Sequence, residues 1–305
     1  MITVIFPVFN EQGNLQALYE RLCTAISKMN PQDFEFIFVD DCSTDHSPEI
    51  LKELRNKDPR IKIIRFARNC GSHAALNAGL AYAHGDCAIV LGADLQDPPE
   101  IIKDLLDARK DNVKIVWGVR TKRKGESSTT KLCAGLYYAL MNWLTNVKVP
   151  PSGADVFLID RVVIEALKKV PEKHSSIFMT LAWLGFPQAS IFYVKEARHK
   201  GQSKWTLGKK IKLTIDSLLS FSDIPIRYMS VIGFCTALLG FIYAAYVLWC
   251  FLYGAPVEGW SSLIVAVLVI GGIQMMMLGI LGEYLWRTYD ESRKRPPYVI
   301  EYTIE

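Results

Sequence analysis

Ile2-Thr3-Val4-Ile5-Phe6, running into Pro7-Val8-Phe9-Asn10-Glu11, is the stretch on which the fold turns. A short β-branched and aromatic run ends in a polar loop that carries an acid. The pattern then repeats. Further runs lie at 34–39, 61–65, 87–91 and 113–117. Three of them lead into Asp40-Asp41-Cys42-Ser43-Thr44-Asp45, Arg68-Asn69-Cys70-Gly71-Ser72-His73 and Gly92-Ala93-Asp94-Leu95-Gln96-Asp97-Pro98-Pro99. Between the runs lie segments of helical spacing, such as Leu15, Leu18, Leu22 and Ile26. Short apolar runs alternating with helices predict an α/β fold with a mostly parallel sheet covered on both faces. Such sheets bind ligands at the carboxyl ends of their strands, where strand order reverses. The loops after the runs are therefore the places to look for chemistry.

Beyond residue 120 the spacing predicts a helix over 127–146, a strand at 155–159, a helix from about 161 and a strand near 189–194. A helix opening at Thr206-Leu207-Gly208-Lys209 carries Leu207, Ile211, Ile215, Leu218 and Leu219 on one side, with Lys209, Lys212 and Asp216 on another. An amphipathic, lysine-bearing helix there suits a membrane interface; packing on its own domain is the alternative. Tyr228–Tyr253 (26 residues) and Gly259–Gly282 (24 residues) contain no formal charge. As helices they would reach about 39 and 36 Å, against a hydrocarbon core of about 30 Å. Two membrane spans are expected.

Half of the 305 residues are apolar and 22% are charged, which excludes a disordered chain. The net charge is +4, and its placement says more than its size. Seven Lys/Arg and one acid fall between Lys195 and Lys212, whereas the connection Gly254-Ala255-Pro256-Val257-Glu258 has no Lys or Arg. Arg227 precedes the first span; Arg287, Arg293, Lys294 and Arg295 follow the second. The positive-inside rule then predicts both termini in the cytoplasm, on a plasma (inner) membrane protein. The basic segment also suits anionic headgroups. The N-terminal strand has no basic leader, so no secretory signal is expected. The seven cysteines have no C-x-x-C spacing, which fits a reducing compartment. No G-x-G-x-x-G follows the first strand and no G-x-x-x-x-G-K-[ST] occurs, which argues against dinucleotide oxidoreductases and P-loop ATPases.

Taken singly, each strand-end loop is explicable as turn chemistry, since Asp, Asn, Gly and Pro are the usual turn residues. Four polar loops at four strand ends, three of them acidic, instead describe a cleft lined with carboxylates. That donor chemistry suits a hard divalent cation bridging phosphates.

In order, P-V-F-N-E, V-D-D-x-S-x-D, R-N-x-G-x-x-A-A-x-N-x-G and A-D-L-Q-D-P-P resemble the family-2 glycosyltransferases of the GT-A fold. More narrowly the chain is similar to the polyprenyl-phosphate glycosyltransferases, from bacterial polyprenyl-phosphate glucosyltransferases to dolichol-phosphate mannose synthases. The resemblance runs from residue 1 to about 210, and the two spans match the bacterial branch with a two-helix anchor. It implies a GT-A-like catalytic domain over 1–205, an interfacial helix region at 206–227, a two-helix transmembrane anchor at 228–286 and a cytoplasmic tail at 287–305.

The implied reaction is transfer of a sugar, glucose from UDP-glucose first, to polyprenyl phosphate with inversion. GDP-mannose, UDP-N-acetylhexosamine and a UDP-aminopentose are alternative donors, and a non-catalytic membrane scaffold is the alternative outside the enzyme class. A processive synthase would need a Q-x-x-R-W motif and more spans. The implied partners are a nucleotide sugar, a polyprenyl phosphate and the membrane, with no nucleic acid; a homo-oligomer is among the assemblies the reading admits.

By resemblance, Pro7, Phe9, Glu11, Val39 and Asp41 line the nucleoside pocket, with Ala93 also on the nucleotide-sugar side. Asp94 and Gln96 hold Mg²⁺ or Mn²⁺, and Arg120, in a turn after the fifth strand, meets phosphate. Arg198, Ser203 and Lys204 match a loop closing over the diphosphate. Asp155 matches an acidic position near the acceptor. Arginine independently suits phosphate, which it meets in a two-pronged fork. One departure stands out: many relatives carry Asp two residues before the metal Asp, where this chain has Gly92. His73 and His199 are expected to be solvated loop histidines.

Overall fold

Apolar runs flanked by loops can satisfy their backbone groups only by pairing with one another. A computed structural model shows how they do so; it describes residues 1–27, 29, 33–110, 112–123, 154–170, 176–197, 208, 216, 219, 222, 224–253 and 259–305. The expected helix at 127–146, most of 206–223, His199 and the basic loop residues Arg198, Ser203 and Lys204 lie outside the described residues.

The strands are β1 (Ile2–Val8), β2 (Phe34–Asp40), β3 (Ile61–Phe66), β4 (Cys87–Val90), β5 (Ile115–Arg123), β6 (Ala154–Asp160), β7 (Gln188–Lys195) and β8 (Ile300–Ile304). They form one sheet in the order β7-β5-β6-β4-β1-β2-β3-β8. β1 pairs in parallel with β2 and β4, and β2 with β3, while β6 runs antiparallel to β4 and β5. The chain winds outward from β1 to β3, then returns to β4 on the other side of β1. That reversal puts the switch point between the carboxyl ends of β1 and β4.

The helices on this sheet are α1 (Leu15–Ile26), α2 (Ser47–Lys57), α3 (Ser72–Ala81), α4 (Ile101–Ala108), α5 (Arg161–Lys168) and α6 (Ile177–Trp183). α1 buries Leu15, Leu18, Leu22 and Ile26, the face its spacing predicts. α4 starts behind Pro98 and Pro99, where a missing N–H costs nothing; Ile101 N–H donates to the Pro98 carbonyl. α3 lies so close to the sheet that a Cβ on Gly79 would come within 2.4 Å of Ile5 Cγ2. Every residue of β2 is buried, as in a central strand covered on both faces. Phe6 and Phe38 stack in this core at 4.8 Å. Burying such a side chain is worth about 1.5–3 kcal/mol.

Two elements differ from the sequence expectation. β5 continues through Arg120 to Arg123, so Arg120 belongs to a strand and not to a turn. Its pairing with β7 shifts register between Arg120 and Lys122, and its pairing with β6 shifts between Gly118 and Val119. Such bulges re-aim side chains at the rim of a sheet. The segment 287–305, read as a tail, ends in β8, which adds antiparallel to β3. Tyr298 stacks on Phe66 at 5.0 Å, and Arg65 Nε donates to Glu301 at 2.9 Å.

The chain divides into two compact units, Met1–Ser217 with Pro296–Glu305, and Leu218–Arg295. The second consists mainly of α7 (Ile224–Leu252) and α8 (Trp260–Ser292), both long and apolar enough to cross a membrane. At 1.5 Å per residue they extend about 43 and 50 Å. Apolar side chains such as Phe234, Phe241, Leu248, Val267 and Leu278 are exposed along them. α8 runs beyond its charge-free stretch, where Glu283 and Arg287 pair one turn apart at 3.1 Å.

Candidate active site

Three of the four polar loops hold a non-glycine residue in the left-handed region: Asn10 (φ 54°) after β1, Cys42 (φ 61°) after β2 and Leu95 (φ 60°) after β4. Such conformations cost energy and persist only where the surroundings enforce them. Around Asn10 and Cys42 a hydrogen-bond lattice does so. Asn10 N–H donates to Ser43 Oγ (2.9 Å), Thr44 N–H to Asn10 Oδ1 (2.7 Å) and Glu11 N–H to Ser47 Oγ (2.9 Å). Gln12 N–H reaches Asp45 Oδ2 at 3.2 Å. Asp40 accepts from Ser43 N–H (2.9 Å) and pairs with Arg65.

Asp41 ties in the third loop. Its carboxylate accepts from Cys70 N–H (2.6 Å) and Gly71 N–H (2.8 Å), and its carbonyl accepts from Asn69 Nδ2 (3.2 Å). Expected to read a base, Asp41 thus also organises the turn into α3. Of the other expected nucleoside residues, Pro7, Phe9 and Glu11 are half-buried at the end of β1. Pro7 is in register with Val39. Glu11 Oε2 accepts from Asn14 Nδ2 at 2.5 Å. Val39 and Ala93 are buried, so their side chains belong to the core.

Across the switch point, Asp94 and Gln96 are half-buried beyond β4, and Gln96 N–H donates to Asp94 Oδ1 at 3.1 Å. Gly92 faces this pair's surroundings: a Cβ there would lie 3.2 Å from both Asp94 Oδ1 and Asp97 Oδ2. Asp97 itself is buried and committed elsewhere. It accepts from Tyr193 Oη at 2.6 Å and lies 3.5 Å from Lys195 Nζ. Burial pushes the Asp97 carboxyl up, opposed by the Lys195 ammonium. Burial also raises the Tyr193 phenol, and Asp97 raises it further.

Asp155, at the start of β6, gathers the cations. Lys195 Nζ lies 2.6 Å and Arg120 Nη1 3.1 Å from its Oδ2. Burial works against the Lys195 charge, but Asp97 and Asp155 more than offset it and hold the amine above its ordinary value. Sequence reasoning missed Lys195 and Tyr193 as site residues: Tyr193 lies within the expected 189–194 strand and Lys195 one residue past it, and only the pairing of β7 turns both inward. His73, expected to be solvated, instead lies in the first turn of α3 and packs edge-on to Phe178 at 5.9 Å. Desolvation lowers its pKa to about 4, so it is a neutral packing group at pH 7.

Sheet order thus puts acidic loops on both sides of one crevice, with cations behind the carboxylates on one side. Residues 3–167 match the family described as Glycosyl transferase family 2, more than half of the chain. The chain is a family-2 glycosyltransferase. It is 39% identical to the uncharacterized glycosyltransferase YkcC of Bacillus subtilis over 306 residues, covering 99% of this chain and 94% of the relative. It is 34% identical over 301 residues to the prophage bactoprenol glucosyl transferase homolog of Escherichia coli, covering 98% of each. The bactoprenol glucosyl transferase of Shigella phage SfV is 33% identical, again over 98% of each.

For this glycosyltransferase the donor set decides what metal the site suits. Among the described residues no group of three or more His, Cys, Asp or Glu side chains could hold an ion. Asp94 supplies a carboxylate and Gln96 an amide oxygen, while Asp97 is held by Tyr193 and Lys195. One carboxylate and one amide fit Mg²⁺ or Mn²⁺ bound jointly with phosphate oxygens and water, and not an all-protein cage.

Proposed function

We propose that this glycosyltransferase transfers glucose from UDP-glucose to undecaprenyl phosphate, with inversion at the anomeric carbon. The observation that carries the reading is the likeness to bactoprenol glucosyl transferases over 98% of both chains, which spans the catalytic unit and both apolar helices. In this reading α7 and α8 anchor the enzyme in the membrane, 206–227 lies at the interface, and the catalytic unit faces the cytoplasm with both termini. A catalytic unit so placed meets a soluble donor and a lipid acceptor together.

The nucleoside lies against Phe9 and Glu11 at the end of β1, and the diphosphate points toward Asp94 and Gln96. A divalent ion held there would neutralise charge on the departing diphosphate. Arg120, with Arg198, Ser203 and Lys204, contributes donors to phosphate oxygens. The lipid phosphate oxygen attacks the anomeric carbon from the face opposite the diphosphate; the C1–O bond to UDP breaks as the new C1–O bond forms. The second pKa of a phosphate monoester is about 6, so the nucleophile arrives largely deprotonated at pH 7. No proton needs to be removed. Asp155, engaged through Oδ2 by Arg120 and Lys195, then orients the acceptor or sugar.

The test is purified full-length protein with undecaprenyl phosphate and labelled UDP-glucose, GDP-mannose, UDP-N-acetylhexosamine and UDP-aminopentose in parallel, each with Mg²⁺, Mn²⁺ or chelator. Lipid-linked glucose formed only with metal is expected. Product from another donor would replace glucose in the reading. Failure of every donor, together with no metal-linked thermal shift by UDP or GDP, would favour the scaffold alternative.

A further inference from the structure

Lys195 is one of seven basic residues in a segment whose charge suits phosphates and headgroups, yet its surroundings set it apart. β7 alternates exposed and covered side chains, with Phe192 and Val194 outward and Tyr193 and Lys195 inward. The Lys195 side chain is only 10% exposed, too covered to act as a headgroup contact. A buried ammonium is costly unless paired. Its partners come from another strand and a loop: Asp155 of β6 lies 2.6 Å away, and Asp97 of the loop after β4 lies 3.5 Å away.

The neighbours of Lys195 tie down the same loop. Tyr193 donates to Asp97 Oδ1 at 2.6 Å, and Glu196 N–H donates to the Gln96 carbonyl at 2.9 Å. Arg21 grips Glu196 with two bonds of 2.8 Å and Glu100 with one of 2.9 Å. The end of β7 is therefore fastened to the Asp94–Asp97 loop by side chains and main chain together. Lys195 is the point where that loop and Asp155 share one cation.

Resting on the transfer reaction proposed above, we infer that Lys195 is a positioning residue, whose ammonium fixes Asp155 relative to the loop bearing Asp94 and Gln96. The acceptor-side carboxylate and the diphosphate-side ligands then keep one spacing through the reaction. A structural counter-ion for Asp97 would make the same contacts, so the test must separate the two roles.

Full-length Lys195→Met, Lys195→Arg and Lys195→Met/Asp97→Asn proteins are compared with wild type for melting temperature, kcat and KM. Lys195→Met leaves Asp97 buried without its counter-charge and should melt lower, whereas the double variant removes both charges and should regain the wild-type melting temperature. Its kcat should nonetheless stay about 100-fold below wild type, with the nucleotide-sugar KM within about threefold, because Asp155, though still paired with Arg120, has lost its tie to the Asp94–Asp97 loop. Lys195→Arg keeps a cation there and should turn over at least about tenfold faster than Lys195→Met. A double variant that regains both melting temperature and kcat would make Lys195 a counter-ion only and overturn the inference. So would Lys195→Arg as inactive as Lys195→Met, and this comparison decides if the double variant does not regain its melting temperature. Wild type is the control: no transfer to undecaprenyl phosphate refutes the acceptor reading alone, and the variants are then compared on the acceptor wild type does use.

Discussion

Replacing Gly92 by aspartate should weaken the metal-free catalytic unit and tighten its hold on a divalent ion. A Cβ at position 92 would sit 3.2 Å from Asp94 Oδ1 and 3.2 Å from Asp97 Oδ2, so any side chain there points at two carboxylates. Asparagine has the same shape without the charge, and Gly92→Asn therefore isolates the steric part. Asp97 is already offset by Lys195 at 3.5 Å, so the repulsion is reckoned against Asp94. Two carboxylates about 5 Å apart at an effective dielectric constant of about 20 repel by roughly 3 kcal/mol. In chelator, Gly92→Asp should melt about 6–12 °C below Gly92→Asn, at roughly 2–4 °C per kcal/mol for a unit of this size. A bound divalent ion reverses the sign, and a Kd for Mn²⁺ lower by about 10- to 100-fold corresponds to about 1.4–2.7 kcal/mol. Circular-dichroism melts in chelator and in stepped Mn²⁺ read the first quantity; electron paramagnetic resonance of free Mn²⁺ reads the second. Equal melting of the two variants in chelator, with equal Mn²⁺ affinity, would show that position 92 does not face Asp94. The metal reading of this loop would then fall with it.

Asp94→Asn should lower transfer by on the order of 1,000-fold, because Gly92 leaves the motif no second carboxylate ahead of Gln96. Asp155→Asn should cost less and keep an acid limb near about pH 6 set by the lipid phosphate; equal inactivity, rescued by small added bases, would make Asp155 the general base. His73 has a folded-state pKa of about 4, below the ordinary 6.5, so its contribution to stability is complete above pH 6.5 and is lost as pH falls toward 4. Urea unfolding should therefore show wild type losing about 2 kcal/mol more than His73→Gln between pH 7.5 and 5, and identical losses would place that histidine in water. Val257→Cys should react with an impermeant maleimide from outside intact cells while Glu305→Cys does not, and the reverse pattern would invert the topology.

The strands at 2–8, 34–40, 61–66 and 87–90 were legible within two residues, because a central strand covered on both faces must be apolar at nearly every position. The two long helices were legible for a similar reason: no charge interrupts 228–253 or 259–282. The acidic strand-end loops could be read as a site because an α/β sheet presents the carboxyl ends of its strands to ligand. Each of these readings uses only what a segment says about its own burial.

Pairings between distant segments carry no such local mark. Nothing in Lys195 distinguishes it from its basic neighbours until the register of β7 against β5 turns it inward, beside Asp155 and Asp97. Arg120 is a strand residue because β7 extends β5 past a bulge, and β8 joins a sheet whose partner strand lies more than 230 residues earlier. Asp41 reads as a ligand-binding acid in sequence, yet the fold also spends its oxygens on Cys70 and Gly71. The sequence by itself determined the kinds of element, their order and the acidic character of the strand ends, because hydrophobic periodicity is local. Only the tertiary structure decided which charge meets which, because a Coulomb or hydrogen-bond energy depends on separation in space, and sheet order and register set that separation.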